Sequence, residues 1–144
     1  MAVVFRSLLQ SEVPTLKQLL KESELPYSDI GNDNISFFAL FEKEKIVAIG
    51  GIECYEKYAL LRSVAVPDNV KGKGHGKRMV QKIESEAIRM GIAELFLLTT
   101  TGKEFFEKLD YKVISRNQVP DIIKATSEFT SLCPETAICM LKGI

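Results

Sequence analysis

The 144-residue chain has no tryptophan, one histidine, three cysteines and no net charge, with 19 basic residues against 19 acidic ones. Each shortage closes off a class of function. A lone histidine, His75, excludes a multi-histidine metal centre. Cys54, Cys133 and Cys139 are odd in number, widely spaced and without a C-x-x-C pair. That argues against a disulfide framework or any metal site, and for a reducing cytoplasm. The balanced charge argues against non-specific nucleic-acid binding as the main task. No apolar run approaches the ~18 residues of a membrane span. Met1 to Arg6 shows no charged leader ahead of a long apolar segment, so neither a membrane partner nor a secretory signal is expected.

What is present is a chain able to build one core. Its hydrophobic content is 46%, and 144 residues make one domain of ordinary size, 1–144. Val3 to Leu8 reads as a strand. Ser11 stands where it can cap a helix with Pro14 in its first turn and Val13, Leu16, Leu19 and Leu20 on one face. Tyr27 to Asn34 is rich in turn formers. Ile35–Phe41 and Ile46–Tyr55 flank Glu42 to Lys45 as a hairpin, and Gly50-Gly51 marks a bulge. A third strand, Tyr58 to Val66, follows. Lys77 to Met90 reads as a helix with Met79, Val80, Ile83 and Ala87 at helical spacing and Gly91 past its end. Leu95 to Leu98 is apolar throughout, as a central strand should be. Phe105–Leu109 and Val119–Thr126 read as short helices, Tyr111–Ile114 as an edge strand and Thr136–Leu141 as a closing strand. The class is α/β (α+β).

Between the third strand and the long helix stands Lys71-Gly72-Lys73-Gly74-His75-Gly76. A strand leading through alternating glycines into a helix is a phosphate-holding device. The first helical NH groups lack partners and carry the positive end of the helix dipole, and glycine lets the backbone approach. Neither G-x-x-x-x-G-K-[ST] nor G-x-G-x-x-G is present. The spacing basic-x-x-Gly-x-Gly, Lys71 to Gly76, resembles the acyl-coenzyme A loop of the GNAT N-acetyltransferases, with Lys71 where Gln or Arg is usual. Thr101 to Tyr111 is similar to that family's second cofactor segment, and the order of elements resembles GNAT from end to end. The resemblance implies a mixed, mostly antiparallel sheet flanked by helices, with two strands splaying into a cofactor cleft. It implies acetyl-CoA bound by Val64, Ala65 and Val66, by Lys71, Gly72, Lys73, Gly74, His75, Gly76 and Lys77, and by Thr101, Phe105 and Phe106. His75, between two loop glycines, points to backbone-level positioning rather than acid–base work.

The departures bear on mechanism. Phe106 stands where the family often has a tyrosine able to protonate the leaving thiolate, and Leu60 where a glutamate base is common. Asp110 replaces a glycine. Two charged residues in the sheet are catalytic candidates. Period-two alternation puts Arg62 on one face with Leu60, Val64 and Val66, where it is either a paired structural arginine or a clamp for a substrate carboxylate. Leu61 to Val66 is similar to the L-R-S-L-A-V of amino-acid N-acetyltransferases, which associates the arginine with a carboxylated acceptor. Glu53 either faces the same cleft as a base or pairs with Arg62. Further on, Val119-Pro120, Lys124-Ala125-Thr126, Glu128-Phe129 and Ser131-Leu132-Cys133-Pro134 look like the N-acetyltransferases encoded beside arsenic-resistance genes, and imply one wall of the acceptor pocket. Cys133 there reads as a half-buried small residue before a proline turn. The expected function is transfer of acetyl from acetyl-CoA to the primary amine of a small molecule, an amino acid or analogue. Acetylation of a protein N-terminus or lysine and non-catalytic acyl-CoA binding are the alternatives. A homodimer is compatible with the resemblance.

Overall fold

The computed structural model describes residues 3–31 and 34–144. Asn32 and Asp33 of the turn-rich loop, and Met1 and Ala2, lie outside them. Seven strands form one sheet: β1 (Val4–Ser7), β2 (Ile35–Glu42), β3 (Lys45–Tyr55), β4 (Tyr58–Ala65), β5 (Glu94–Thr99), β6 (Lys112–Ile114) and β7 (Ile138–Gly143). The helices are α1 (Val13–Glu22), α2 (His75–Arg89), α3 (Lys103–Glu107) and α4 (Asp121–Lys124). The spatial order is β1-β2-β3-β4-β5-β7-β6. Every pairing is antiparallel except that of β4 with β5. The closing strand therefore inserts between β5 and β6, and β6 is left at the edge.

Alternation along the strands sorts the core into two layers. On one face Ala59, Leu61, Leu95, Leu97 and Met140 pack against Met79, Val80, Ile83 and Ala87 of α2. The other face is covered in two patches. Leu16 and Leu20 of α1 lie over Ala39, Phe41, Ile49 and Ala65, while Ile123 of α4 and Val119 lie over Leu60, Phe96 and Cys139. Leu95 to Leu97 are buried because β5 is flanked by strands and covered on both sides.

Local chemistry sets the element ends. The β2–β3 turn is tighter than the four charged residues imply. Glu42 pairs with Lys45, and Lys43 and Glu44 both take left-handed backbone angles, as a two-residue hairpin turn of matching twist requires. Gly91 ends α2 at φ +86°, and the Ile92 N–H closes onto the Ala87 carbonyl at 2.9 Å. Asp110, standing in for a glycine, adopts φ +74°. Ser11 caps nothing: it sits in a 3₁₀ turn (Gln10–Glu12) ahead of α1. The capping work falls to Glu12, whose carboxylate accepts from the Leu9 amide at 2.7 Å and from Arg6 at 2.9 Å.

The bulge lies where the glycine pair pointed, but its extra residue is on β4. Ile49 pairs with Ala65 and Gly51 with Arg62, so Gly50 faces both Ser63 and Val64, and Ser63 adopts φ +62°. A Cβ on Gly50 would stand 2.6 Å from Ile83 Cδ1 and 3.3 Å from Met79 Cγ. The glycine thus lets α2 settle on β3. Gly50→Val should lower unfolding free energy by about 1–3 kcal/mol through overpacking. Gly143→Ala, with nothing within 4 Å of the new Cβ, should leave the urea midpoint unchanged.

Candidate active site

β4 and β5 pair over only three residues, Tyr58 to Leu60 with Glu94 to Phe96. Beyond Leu60 they part, and a cleft of about 670 Å³ opens between them. Its walls are Leu61 to Val66 of β4, Leu97 to Gly102 at the end of β5, Phe105 and Phe106 of α3, and Leu132 to Pro134 from the C-terminal segment. Ser23 to Pro26, after α1, close one side, and the glycine loop forms the mouth. In the gap each strand presents a backbone edge without a partner strand, a place for an extended ligand with amides of its own.

The glycine loop stands at this mouth. Gly72 and Gly74 both adopt φ +81°, and a Cβ on either would meet nothing within 4 Å. Gly74 precedes the first turn of α2. Among the described residues no backbone N–H from Gly72 to Lys77 donates to a backbone carbonyl, the first such bond being Arg78 N–H to the Gly74 carbonyl at 3.1 Å. These amides, at the positive end of a 15-residue helix, suit a diphosphate. Lys71 and Lys77 line the same mouth. His75 is 4% exposed, and its Nδ1 has no partner among the described residues. The row of amides, the open glycines and the unpaired strand edge together fit a ligand with a diphosphate at one end and amides along its length, as coenzyme A has.

Of the residues expected to hold that ligand, Val64, Ala65, Val66, Lys71, Gly72, Gly74, His75, Gly76, Lys77, Thr101, Phe105 and Phe106 come together at this cleft, and Lys73 does not line it. The route to Val64 and Val66 differs from simple alternation. The Ser63 bulge turns β4 over, so both valines pack on the α2 side with Leu61, and Arg62 is left on the opposite face. Phe106 stacks edge-to-face on Phe105 and Tyr111 and offers no proton.

At the inner end stands Arg62. Its side chain is wholly buried. Nη1 donates to Asp29 at 2.7 Å and to Glu53 at 2.9 Å, Nη2 to the other Asp29 oxygen at 2.6 Å, and Nε lies 3.4 Å from Glu128. All three guanidinium nitrogens face carboxylates of the chain itself, the arrangement of a paired structural arginine. Burial works against its charge, but the Asp29 hydrogen bonds and the surrounding carboxylates hold it more firmly protonated than usual. Glu53 is 1% exposed and does not line the cleft. Its carboxylate is taken by Arg62 and by the Tyr55 hydroxyl, so of the two readings open for it, base or ion-pair partner, the geometry realises the pair. Burial first, then the hydrogen bond to Glu53, pushes the Tyr55 hydroxyl up to about 12.

Two members of this cluster, Asp29 and Glu128, were not anticipated, since each comes from an irregular segment without periodicity. Glu128 opens a π-helical turn (Glu128–Leu132). Burial first, then Asp29 and Glu53, raise its carboxyl to about 7 against the pull of Arg62. Cys133 follows that turn, lines the cleft and interacts with the Glu128 carboxylate. Burial, then the Glu128 charge, push this thiol up to about 12.

A family model, the acetyltransferase (GNAT) domain, matches residues 33–113. The chain belongs to the GNAT acetyltransferase family. An N-acetyltransferase of Chlorobaculum tepidum is 32% identical over 104 residues, covering 72% of this chain and 64% of that protein. The amino-acid acetyltransferase of Pasteurella multocida is 24% identical over 77% of this chain and 27% of its own length. The chain thus spans under two thirds of these relatives. Among solved structures, N-acetylglutamate synthase from Neisseria gonorrhoeae, complexed with coenzyme A and N-acetyl-glutamate, superposes with a TM-score of 0.84 at 18% identity, over 99% of this chain and 35% of that one. A Mycobacterium tuberculosis protein in complex with coenzyme A gives 0.81 at 22%, covering 98% and 99%. These likenesses establish the GNAT fold. No helix among the described residues is long and apolar enough to cross a membrane.

Arg62→Met should therefore act on the fold, leaving buried carboxylates uncompensated at a cost of about 3–5 kcal/mol. The loss should be larger at pH 8 than at pH 5, where protonation relieves the repulsion, as urea titrations at the two pH values would show. Glu128 has the opposite linkage from an ordinary ion-paired acid. Its folded pKa, about 7, exceeds the reference 4.5, so its contribution is full below pH 4.5 and is lost as pH rises through 7. In Glu128→Gln that decline should be absent.

Proposed function

We propose that this GNAT chain transfers an acetyl group from acetyl-CoA to the primary amine of a small molecule, an amino acid or analogue. The observation that carries the reading is the parting of β4 from β5 beneath the free amides at the start of α2. Val64 to Val66 would offer backbone groups to the pantetheine arm, Gly72 to Lys77 would hold the diphosphate, and Thr101, Phe105 and Phe106 would form the facing wall. When bound, acetyl-CoA supplies the thioester carbonyl that the amine attacks. The chain's own part is to align the amine and exclude water. Leu132 to Pro134 and Ala137 of the C-terminal segment wall part of the cleft, and an enclosing wall there would favour a small amine over a peptide. The names of the amino-acid acetyltransferase relatives support the same class. The Ala125 to Pro134 string supports kinship with acetyltransferases encoded beside arsenic-resistance genes. A reducing, cytoplasmic setting belongs to the same proposal, because three unpaired thiols suit it.

Acetyl-CoA consumption against a panel of amino acids, polyamines and an N-terminal peptide tests the acceptor class. Turnover should be confined to small amines, and turnover of the peptide alone would overturn the reading. Calorimetry tests the loop. Gly74→Val, which forces a β-branched residue to φ +81°, should weaken acetyl-CoA binding at least ~10-fold, equivalent to ~1.4 kcal/mol. Lys73→Ala should change it less than about threefold, in keeping with an exposed charge screened by salt.

A further inference from the structure

We propose that Glu128, acting through the Cys133 thiol, takes up the proton that the acceptor's ammonium must lose before it can attack. The inference rests on the acetyltransfer reading above and assigns that site its missing proton acceptor. A primary amine at neutral pH is mostly ammonium, and ammonium has no lone pair to offer. The two positions from which the fold's resemblance leads one to expect proton exchange are apolar here, Leu60 and Phe106. Glu53 is spent on Arg62 and Tyr55.

Cys133 is a cleft-wall side chain set against a carboxylate. The π-helical turn puts it there: the Cys133 N–H closes onto the Glu128 carbonyl at 3.1 Å, which sets the thiol beside the Glu128 carboxylate. Four groups act on Glu128: Asp29 from the loop after α1, Glu53 from β3, Arg62 from β4 and Cys133 from its own segment. Arg62 and Arg116 bear on the thiol as well. Asp29 and Glu53 hold Arg62 at 2.6–2.9 Å, whereas Glu128 stands at 3.4 Å. With three carboxylates around one guanidinium, the least tightly held is the one that accepts a proton. A carboxyl raised to about 7 matches that task near neutral pH, and a thiol raised to about 12 remains a donor instead of ionising.

The transfer balances. As the thiol S–H breaks and its proton forms an O–H on Glu128, the ammonium N–H breaks and a new S–H forms on Cys133. Neutral amine and neutral Glu128 result, and the proton later returns to solvent. Glu128 does not itself line the cleft and acts through Cys133, so it is a positioning residue whose signature is a pH profile.

Infrared titration of the ligand-free protein needs no acceptor and decides first. The wild-type minus Glu128→Gln difference should contain the carbonyl stretch of an un-ionised carboxylic acid, disappearing with a midpoint near pH 7. Its absence at every pH above about 5 would overturn the proposal. In turnover with the panel amines, Glu128→Gln and Cys133→Val should each lose about 10²-fold. Glu128→Gln should also lose the acid limb of the pH–rate profile, and Cys133→Ser, which keeps a hydroxyl relay, should recover most of the rate. A Glu128→Gln or Cys133→Val enzyme with wild-type rate and profile would overturn it. Failure of wild-type protein to bind acetyl-CoA in calorimetry would instead sink the acetyltransfer reading, whatever the infrared result.

Discussion

The structure depends on two parallel strands that stop pairing too soon. β4 and β5 hold together from Tyr58/Glu94 to Leu60/Phe96 and then diverge, leaving backbone groups that a compact domain would ordinarily satisfy. The cause is local. An extra residue at Ser63, in a left-handed conformation opposite Gly50, increases the twist of β4 just where pairing ends. The strand is bent, yet β3 still holds its other edge as far as Ala65. One defect therefore opens the cleft without unravelling the sheet.

The same bulge distributes the side chains. Had alternation continued, Val64 and Val66 would share a face with Arg62 and press against the carboxylate cluster. Instead they join the α2 layer, and Arg62 is isolated on the side where Asp29, Glu53 and Glu128 converge. Burying four ionisable groups is costly unless charges are matched and hydrogen bonds complete. Here the short bonds go to Asp29 and Glu53, and the mismatch collects on Glu128. The tension raised by that surplus negative charge lies beside the cleft wall rather than deep in the core.

How much of this could be read in the chain follows the range of the interactions. The glycine loop between strand and helix was legible because the three are contiguous in the chain. The helix ends at Gly91 and the edge position of β6 were legible for the same reason. The Arg62 cluster was not. Asp29 and Glu128 come from irregular segments far away in sequence, and nothing in periodicity announces such a meeting. Alternation misplaced Arg62 relative to the valines because period two assumes an unbroken strand. Ser11 looked like a cap by residue type, but Arg6 and Glu12, brought together by β1 and the following 3₁₀ turn, supplied a stronger arrangement.

The position of Leu60 explains why a proton acceptor would come from the C-terminal segment at all. Leu60 is fully buried with Phe96, Val119, Ile123 and Cys139. A carboxylate there would face α4 in an apolar layer, where desolvation would keep it neutral and useless as a base. In this chain the segment from α4 through Cys133 seals that face of β4, and the sealing segment brings its own acid in Glu128. Packing and chemistry are thus exchanged between two elements: the strand gives up a polar position to anchor the cover, and the cover returns one. On this argument the C-terminal string is tied to the strand by a physical dependence. An apolar residue at position 60 is tolerable for proton transfer only where the covering turn carries a carboxylate within reach of the cleft.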